Sequence, residues 1–259
     1  MIDGHVHLEN GPLTKEYVYK FVNEAINKGI KKLQIVDHTF RYKEFLPIHE
    51  SFRKVKAQDE WINNEFKDSI YDFIKLIEEM KKEKLQIEVL FGLEVDYQKS
   101  EEKKIKELLE KYDFDILIGS VHFIDGTAYD SEWSLDELWN KYPVNDIYKK
   151  YYDEVFSMVK SGLFTQLGHP DTIKMYNYYP SYDLTDTYNK LAELAKEHNI
   201  IVENNVGCYY RYNHKDMGLS KELLEIFKKH QCKMITATDA HYPKDVGRYI
   251  KDVWNITMN

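Results

Sequence analysis

Residues 63–96 read NNEFKDSIYDFIKLIEEMKKEKLQIEVLFGLEVD, and the fold is decided here. Phe66, Ile70, Phe73, Ile74, Ile77 and Met80 recur at helical spacing, which puts them on one face of an amphipathic helix over 63–84. The run that follows, QIEVLFGLE (86–94), is short, apolar and rich in β-branched and aromatic side chains, so it reads as a buried strand. The same helix-then-strand unit recurs on both sides. Upstream, Val18, Phe21, Val22, Ala25 and Ile26 share one face of a helix over 13–29, which Gly29 stops, and KLQIVD (32–37) follows as a strand. Downstream, helices over 100–111, 146–161, 186–198 and 220–230 lead into strands over 114–121, 164–168, 200–204 and 234–238. A first strand over 2–7 brings the number of strands to seven. Strands alternating with helices call for a mainly parallel sheet. The units follow one another without a Pro/Gly/Ser-rich linker, which favours a closed barrel over an open sheet. The expectation is one α/β domain over 1–259, a TIM-like (β/α)7 barrel of the usual size of about 250 residues.

Composition narrows the function. The formal net charge is −8, from 36 Lys and Arg against 44 Asp and Glu. Such a chain lacks the basic footprint that long nucleic acid requires. A small phosphorylated substrate is still compatible, because bound cations reverse the local field. The 21 tyrosines read mostly as half-buried rings with polar tips. With only two cysteines, Cys208 and Cys232, a disulfide framework is not expected and a reducing cytoplasm is the simpler setting. The start, MIDGHVHLENG, has neither the basic nor the apolar region of a signal peptide. No apolar run reaches the roughly 18 residues of a membrane span, so no membrane partner is expected. The oligomeric state is left open.

The informative pattern is where the imidazoles and carboxylates fall. His5 and His7 lie on the first strand, and Asp37 and His38 end the second. Glu94 and Asp96 end the third, His122 the fourth, His169 the fifth and Glu203 the sixth, with Asp239 and His241 after the seventh. In parallel α/β folds sites assemble at this strand edge, so residues distant in sequence can converge. Each has a bland reading alone: a lone His-x-His, a strand-end His38, a turn-shaping His169 before Pro170, a solvated Glu94. Together the bland readings fail, because six of the 10 histidines sit at strand ends. His198 and His230 suit surface positions at helix C-termini, and His49 and His214 have no assigned role. Residues His5 and His7, on alternate strand positions, can reach one cation. A carboxylate such as Glu94 can bridge two. The donor set suits Zn²⁺, Mn²⁺ or Fe²⁺, and two or three such divalent ions could clamp a phosphate.

His5-Val6-His7, Asp37-His38, Gly92-Leu93-Glu94, Gly119-Ser120-Val121-His122, Gly168-His169-Pro170-Asp171 and Thr238-Asp239-Ala240-His241 resemble, in order, the motifs of the polymerase-and-histidinol-phosphatase (PHP) superfamily. Residues 119–130, 167–174 and 238–247 are similar to its histidinol-phosphatase branch. The resemblance implies a distorted (β/α)7 barrel of PHP type holding a trinuclear metal centre. It implies His5, His7, Glu94 and Asp239 around a first ion, Glu94 with His122 and His169 around a second, and His38 and His241 at a third. The family usually supplies another histidine soon after His-x-His; Glu9 stands in that place here. The expected reaction is hydrolysis of a phosphate monoester, histidinol phosphate first, by a hydroxide bridging the ions. Asp239 or His241 would pass a proton to the leaving alcohol. Arg211, after the sixth strand, is the candidate phosphate-binding cation; it also matches an arginine that related enzymes place near the phosphate, and its planar fork suits that contact. Its alternative is stacking on a neighbouring tyrosine. Arg41 is the second candidate, and Asn205 would orient substrate. The rival readings are a phosphatase or nuclease of the same superfamily acting on phosphotyrosine, a nucleotide or an oligonucleotide, and a non-catalytic module that keeps its metals for stability.

Overall fold

A computed structural model describes residues 1–258. Nine strands are present: β1 (Ile2–Val6), β2 (Lys32–His38), β3 (Glu88–Asp96), β4 (Ile116–Ser120), β5 (Phe123–Ile124), β6 (Thr127–Ala128), β7 (Gln166–Leu167), β8 (Ile201–Asn205) and β9 (Met234–Ala237). Seven of them form one parallel sheet in the order β1-β2-β3-β4-β7-β8-β9. The edges meet: Val6 bridges Ala240 in parallel, His7 N donates to Ala240 O at 2.8 Å, and Asp239 N donates to His5 O at 2.9 Å. The result is the expected distorted, nearly closed (β/α)7 barrel. Asp3 reinforces the seam, accepting from Thr238 N at 2.9 Å, Thr238 Oγ1 at 2.6 Å and Gly247 N at 2.9 Å. Burial outweighs those bonds and pushes its carboxyl up to about 6.

The strands are buried on both faces because helices cover them outside. These are α1 (Lys15–Asn27), α2 (Lys56–Asn64), α3 (Ile70–Met80), α4 (Glu102–Leu109), α5 (Val144–Ser161), α6 (Thr185–Glu197), α7 (Gly207–Arg211), α8 (Lys221–Lys229) and α9 (Ile250–Met258). None is long and apolar enough to cross a membrane. Thr14 caps α1, its hydroxyl accepting from Tyr17 N at 3.3 Å, and α5 ends on Gly162 in the left-handed region at φ 66°. At Gly92 a Cβ would lie 1.8 Å from the Ile116 carbonyl oxygen, so glycine lets β3 approach β4.

Two local expectations need correction. The helix read over 63–84 is two pieces. Phe66 sits between them at φ 57°, its N–H spent on Phe40 O at 2.7 Å. Ser69 and Glu44 start α3 afresh, Glu44 accepting from Ile70 N at 2.9 Å. Helical spacing runs through the break because Phe66 and Ile70 are buried in either case. The strand read over 164–168 is only Gln166–Leu167. The β1–β2 register slips by one residue, pairing Asp3 with Leu33 but Val6 with Ile35. That irregularity falls between Asp3 and Val6, the stretch that carries His5.

Candidate metal centre

Glu94, near the end of β3, is the hub, and its two oxygens face different histidines. Oε2 lies 3.1 Å from His5 Nε2, 3.5 Å from His7 Nε2 and 2.8 Å from His38 Nε2. Oε1 lies 2.9 Å from His169 Nε2 and 3.5 Å from His122 Nε2. Asp239, at the exit of β9, meets His7 Nε2 at 3.1 Å and His5 Nε2 at 4.0 Å. Four overlapping groups have ligand atoms within 4.8 Å of one another: His5, His7 and Asp239; His5, Glu94 and His169; His38, Glu94 and His122; His7, His38 and His241. His38 thus reaches Glu94 as well as His241, a contact that the three-ion sorting leaves out.

This donor set fits metal ions. Burial opposes charge on Glu94, yet the surrounding His38 and His5 hold its carboxyl well below the usual range. Burial, then the neighbouring His38, holds His7 well below its ordinary value. Against their burial, Glu203 and Glu94 raise His5, and Glu94 and Glu9 raise His38, well above the ordinary imidazole value; a divalent cation among these groups would take the place of that positive charge. The outer nitrogens are anchored in the manner of metal sites, where a carboxylate fixes ring and tautomer. His5 Nδ1 donates to Glu203 Oε1 at 2.8 Å, His122 Nδ1 to Asp96, and His38 Nδ1 to Glu9 Oε2 at 2.7 Å. Glu203 is itself saturated by Gln166 Nε2 at 2.8 Å, His169 N at 3.1 Å and Asn205 Nδ2 at 3.0 Å. Glu9 also lies 3.3 Å from His241 Nε2, so it stands between His38 and His241.

Not every candidate reaches the site. Arg41 is buried away from it, donating to Asp37 Oδ2 at 2.8 Å, Asp68 Oδ2 at 2.6 Å and Gly11 O at 2.9 Å. Its fork is spent on pinning β2 to the loop after β1, and it does not line the pocket of the metal ligands. We therefore expect Arg41→Ala to act on stability. It strands buried Asp37 and should cost about 3 kcal/mol or more in urea unfolding; a variant as stable as the wild type would refute this structural role. Asn205 has both ends of its amide engaged within the protein. Its Oδ1 accepts from Gly207 N at 2.8 Å and its Nδ2 holds Glu203. His198 and His230 cap α6 and α8 at their C-termini. His214 is buried, 2.9 Å from Tyr179 Oη.

Arg211, at the end of α7, does reach the centre: Nη2 pairs with Asp239 Oδ2 and Nη1 lies 3.0 Å from His241 Nε2. It also stacks over Tyr212, 5.5 Å from the ring centroid, so the tyrosine contact and the approach to the centre occur together. The metal groups open onto a pocket of about 220 Å³. Phe40, Trp61 and Phe123 form its apolar wall, and Asp96 and Asp130 add carboxylates. The wall residues and Asp130 were missed because they lie off the barrel strand ends. His49 was missed as a support; its Nε2 donates to Asp96 Oδ2 at 2.8 Å.

Residues 3–207 match the PHP domain model. A "Probable histidinol-phosphatase" of Deinococcus radiodurans is 26% identical over 162 residues, covering 62% of this chain and 61% of that protein. A Listeria monocytogenes chain named as a histidinol phosphatase superposes with a TM-score of 0.75 at 18% identity, over 97% of this chain and 99% of that one. The histidinol phosphate phosphatase of Lactococcus lactis, solved with zinc, L-histidinol and phosphate, gives 0.69 at 17% identity, over 99% of this chain and 93% of that one. Those two likenesses speak for the barrel. With most of the sequence under the family model and the family's six motifs gathered around Glu94, this chain belongs to the PHP domain family.

Proposed function

We propose that residues 1–259 form one catalytic domain that hydrolyses phosphate monoesters with bound divalent metals, L-histidinol phosphate being the substrate. The observation that carries this reading is Glu94, which offers one oxygen to His5, His7 and His38 and the other to His122 and His169. A carboxylate divided in this way suits adjacent cations. In the proposed assignment His5, His7, Glu94 and Asp239 hold one ion, Glu94, His122 and His169 a second, and His38, His241 and Glu9 a third. Zn²⁺, Mn²⁺ and Fe²⁺ all suit these ligands. When bound, the cations supply charge for the phosphate oxygens and make water acidic enough to attack near neutral pH. Arg211 adds a fixed positive charge for the phosphate. Asp239 and His241 are the pair for proton delivery to the leaving alcohol; Asp239 has Oδ1 engaged by His7 and Oδ2 by Arg211. The substrate is inferred from the relatives' names and from the L-histidinol and phosphate bound by the Lactococcus protein. The reduced thiols Cys208 and Cys232 accord with a cytoplasmic setting.

Stripping the metals should lower phosphatase activity by at least about 100-fold, and Mn²⁺ or Zn²⁺ should restore it. The assay is run on L-histidinol phosphate, a phosphotyrosine peptide, a nucleotide and single-stranded DNA. Full activity in the stripped protein sinks the metal reading. A higher kcat/KM on another ester replaces the substrate.

A further inference from the structure

Four carboxylates line the pocket: Glu9, Asp96, Asp130 and Asp239. Three are spent. Glu9 serves His38 and His241, Asp96 serves His49 and His122, and Asp239 serves His7 and Arg211. Among the described residues no side chain donates a hydrogen bond to the Asp130 carboxylate, which has only its own backbone N–H. Asp130 lines the same pocket as His122 and His169, two of the second group of ligands. Its position is built in. Asp130 O accepts from Tyr176 Oη at 3.0 Å, and the preceding Tyr129 O accepts from Ser134 Oγ at 2.9 Å and Trp139 Nε1 at 2.9 Å. Tyr129 N is tied to His122 O at 3.0 Å. A clamped, half-buried carboxylate that no side chain pairs with is suited to a cation arriving in the pocket.

We propose that Asp130 is the specificity residue of this pocket, pairing with an ammonium group on the alcohol part of a phosphate monoester. The inference rests on the phosphatase reading and narrows its substrate class. The phosphate lies toward Arg211 and the metal ligands, and a flat group on the alcohol packs against Phe40, Trp61 and Phe123. In that wall Phe40 and Trp61 meet edge to face at 5.1 Å between centroids, leaving an apolar surface suited to a ring.

The test uses the metal-loaded full chain and Asp130→Asn, which keeps shape and removes charge. Two alkyl esters are compared, L-histidinol phosphate and glycerol phosphate; the second carries no cation. The ratio of their kcat/KM values should fall roughly 10- to 100-fold in the variant, mainly through KM, as expected for one charge-assisted hydrogen bond. Calorimetric affinity for L-histidinol should fall by a similar factor, and Asp130→Glu should recover part of it. An equal loss on both esters, or an L-histidinol affinity that does not change, overturns the assignment; a general-acid role for Asp130 would give both. A wild type that splits both esters without preferring the amino ester overturns it while the phosphatase reading stands. If the wild type splits neither ester, the phosphatase reading fails, and L-histidinol binding judges Asp130 alone.

Discussion

Glu94→Gln should lower kcat/KM on any phosphate monoester by about 1,000-fold or more, equivalent to ~4 kcal/mol of transition-state stabilisation. The substitution changes one atom type and one unit of charge at the most connected point of the site. In the wild type both oxygens are acceptors, with imidazole nitrogens at 2.8 and 3.1 Å from one and 2.9 Å from the other. The amide keeps one acceptor and turns its NH₂ toward whatever the other histidines hold. No rotamer satisfies both sides, and the negative charge that balances adjacent cations is gone. Metal content per chain, measured by plasma mass spectrometry, should drop by at least one ion, while the melting curve shows an intact barrel. Wild-type turnover with wild-type metal content in this variant would remove Glu94 as a bridge. Unchanged metal content with lost turnover would leave it a catalytic group and disprove its role in holding the ions.

The strand-end residues were legible because a parallel α/β fold converts strand ends into one rim, so His5, His7, His38, Glu94, His122, His169, Asp239 and His241 needed no long-range information. What fails to read is pairing across the chain. Arg41 follows His38 closely enough to look like a rim residue, but Asp68 and Gly11 claim its fork, and nothing in the spacing announces either partner. Asn205 lies two residues beyond Glu203 on the same strand face and serves it; the alternation was visible, its purpose was not. Barrel closure depends on Val6 meeting Ala240, a contact outside the range of any periodicity. The aromatic wall comes partly from the segment between β2 and α3, where Phe40 lies in a short turn and Trp61 on α2, and no single spacing links the two across the pocket. Asp130 follows the β5–β6 hairpin, whose Asp125-Gly126 turn has φ 51° and 82°, so it sits outside the barrel strand ends that the alternation of helix and strand picks out.

Arg211→Ala should lower kcat/KM by about 100-fold, with the larger share in KM, because the guanidinium meets the phosphate in ground state and transition state alike. Two consequences of the loss must be separated. Arg211 pairs with Asp239 Oδ2, and that cation is the main influence holding Asp239 well below the usual carboxylate range against its burial. Removing it could therefore weaken a metal ligand as well as a phosphate contact. The backbone limits relaxation: a Cβ on Gly207 would lie 2.9 Å from Asp239 Oδ2, so α7 already packs tightly on that carboxylate. Inhibition by inorganic phosphate, measured with the metal sites saturated, reports the phosphate contact alone and should weaken by a similar factor. Arg211→Lys keeps the charge but loses the fork, so it should recover only part of the loss. If Arg211→Ala leaves both KM and phosphate inhibition unchanged, Arg211 has no place at the phosphate. If activity returns fully at high metal concentration, its work is to hold Asp239, and the phosphate is then held by the cations without help from this arginine.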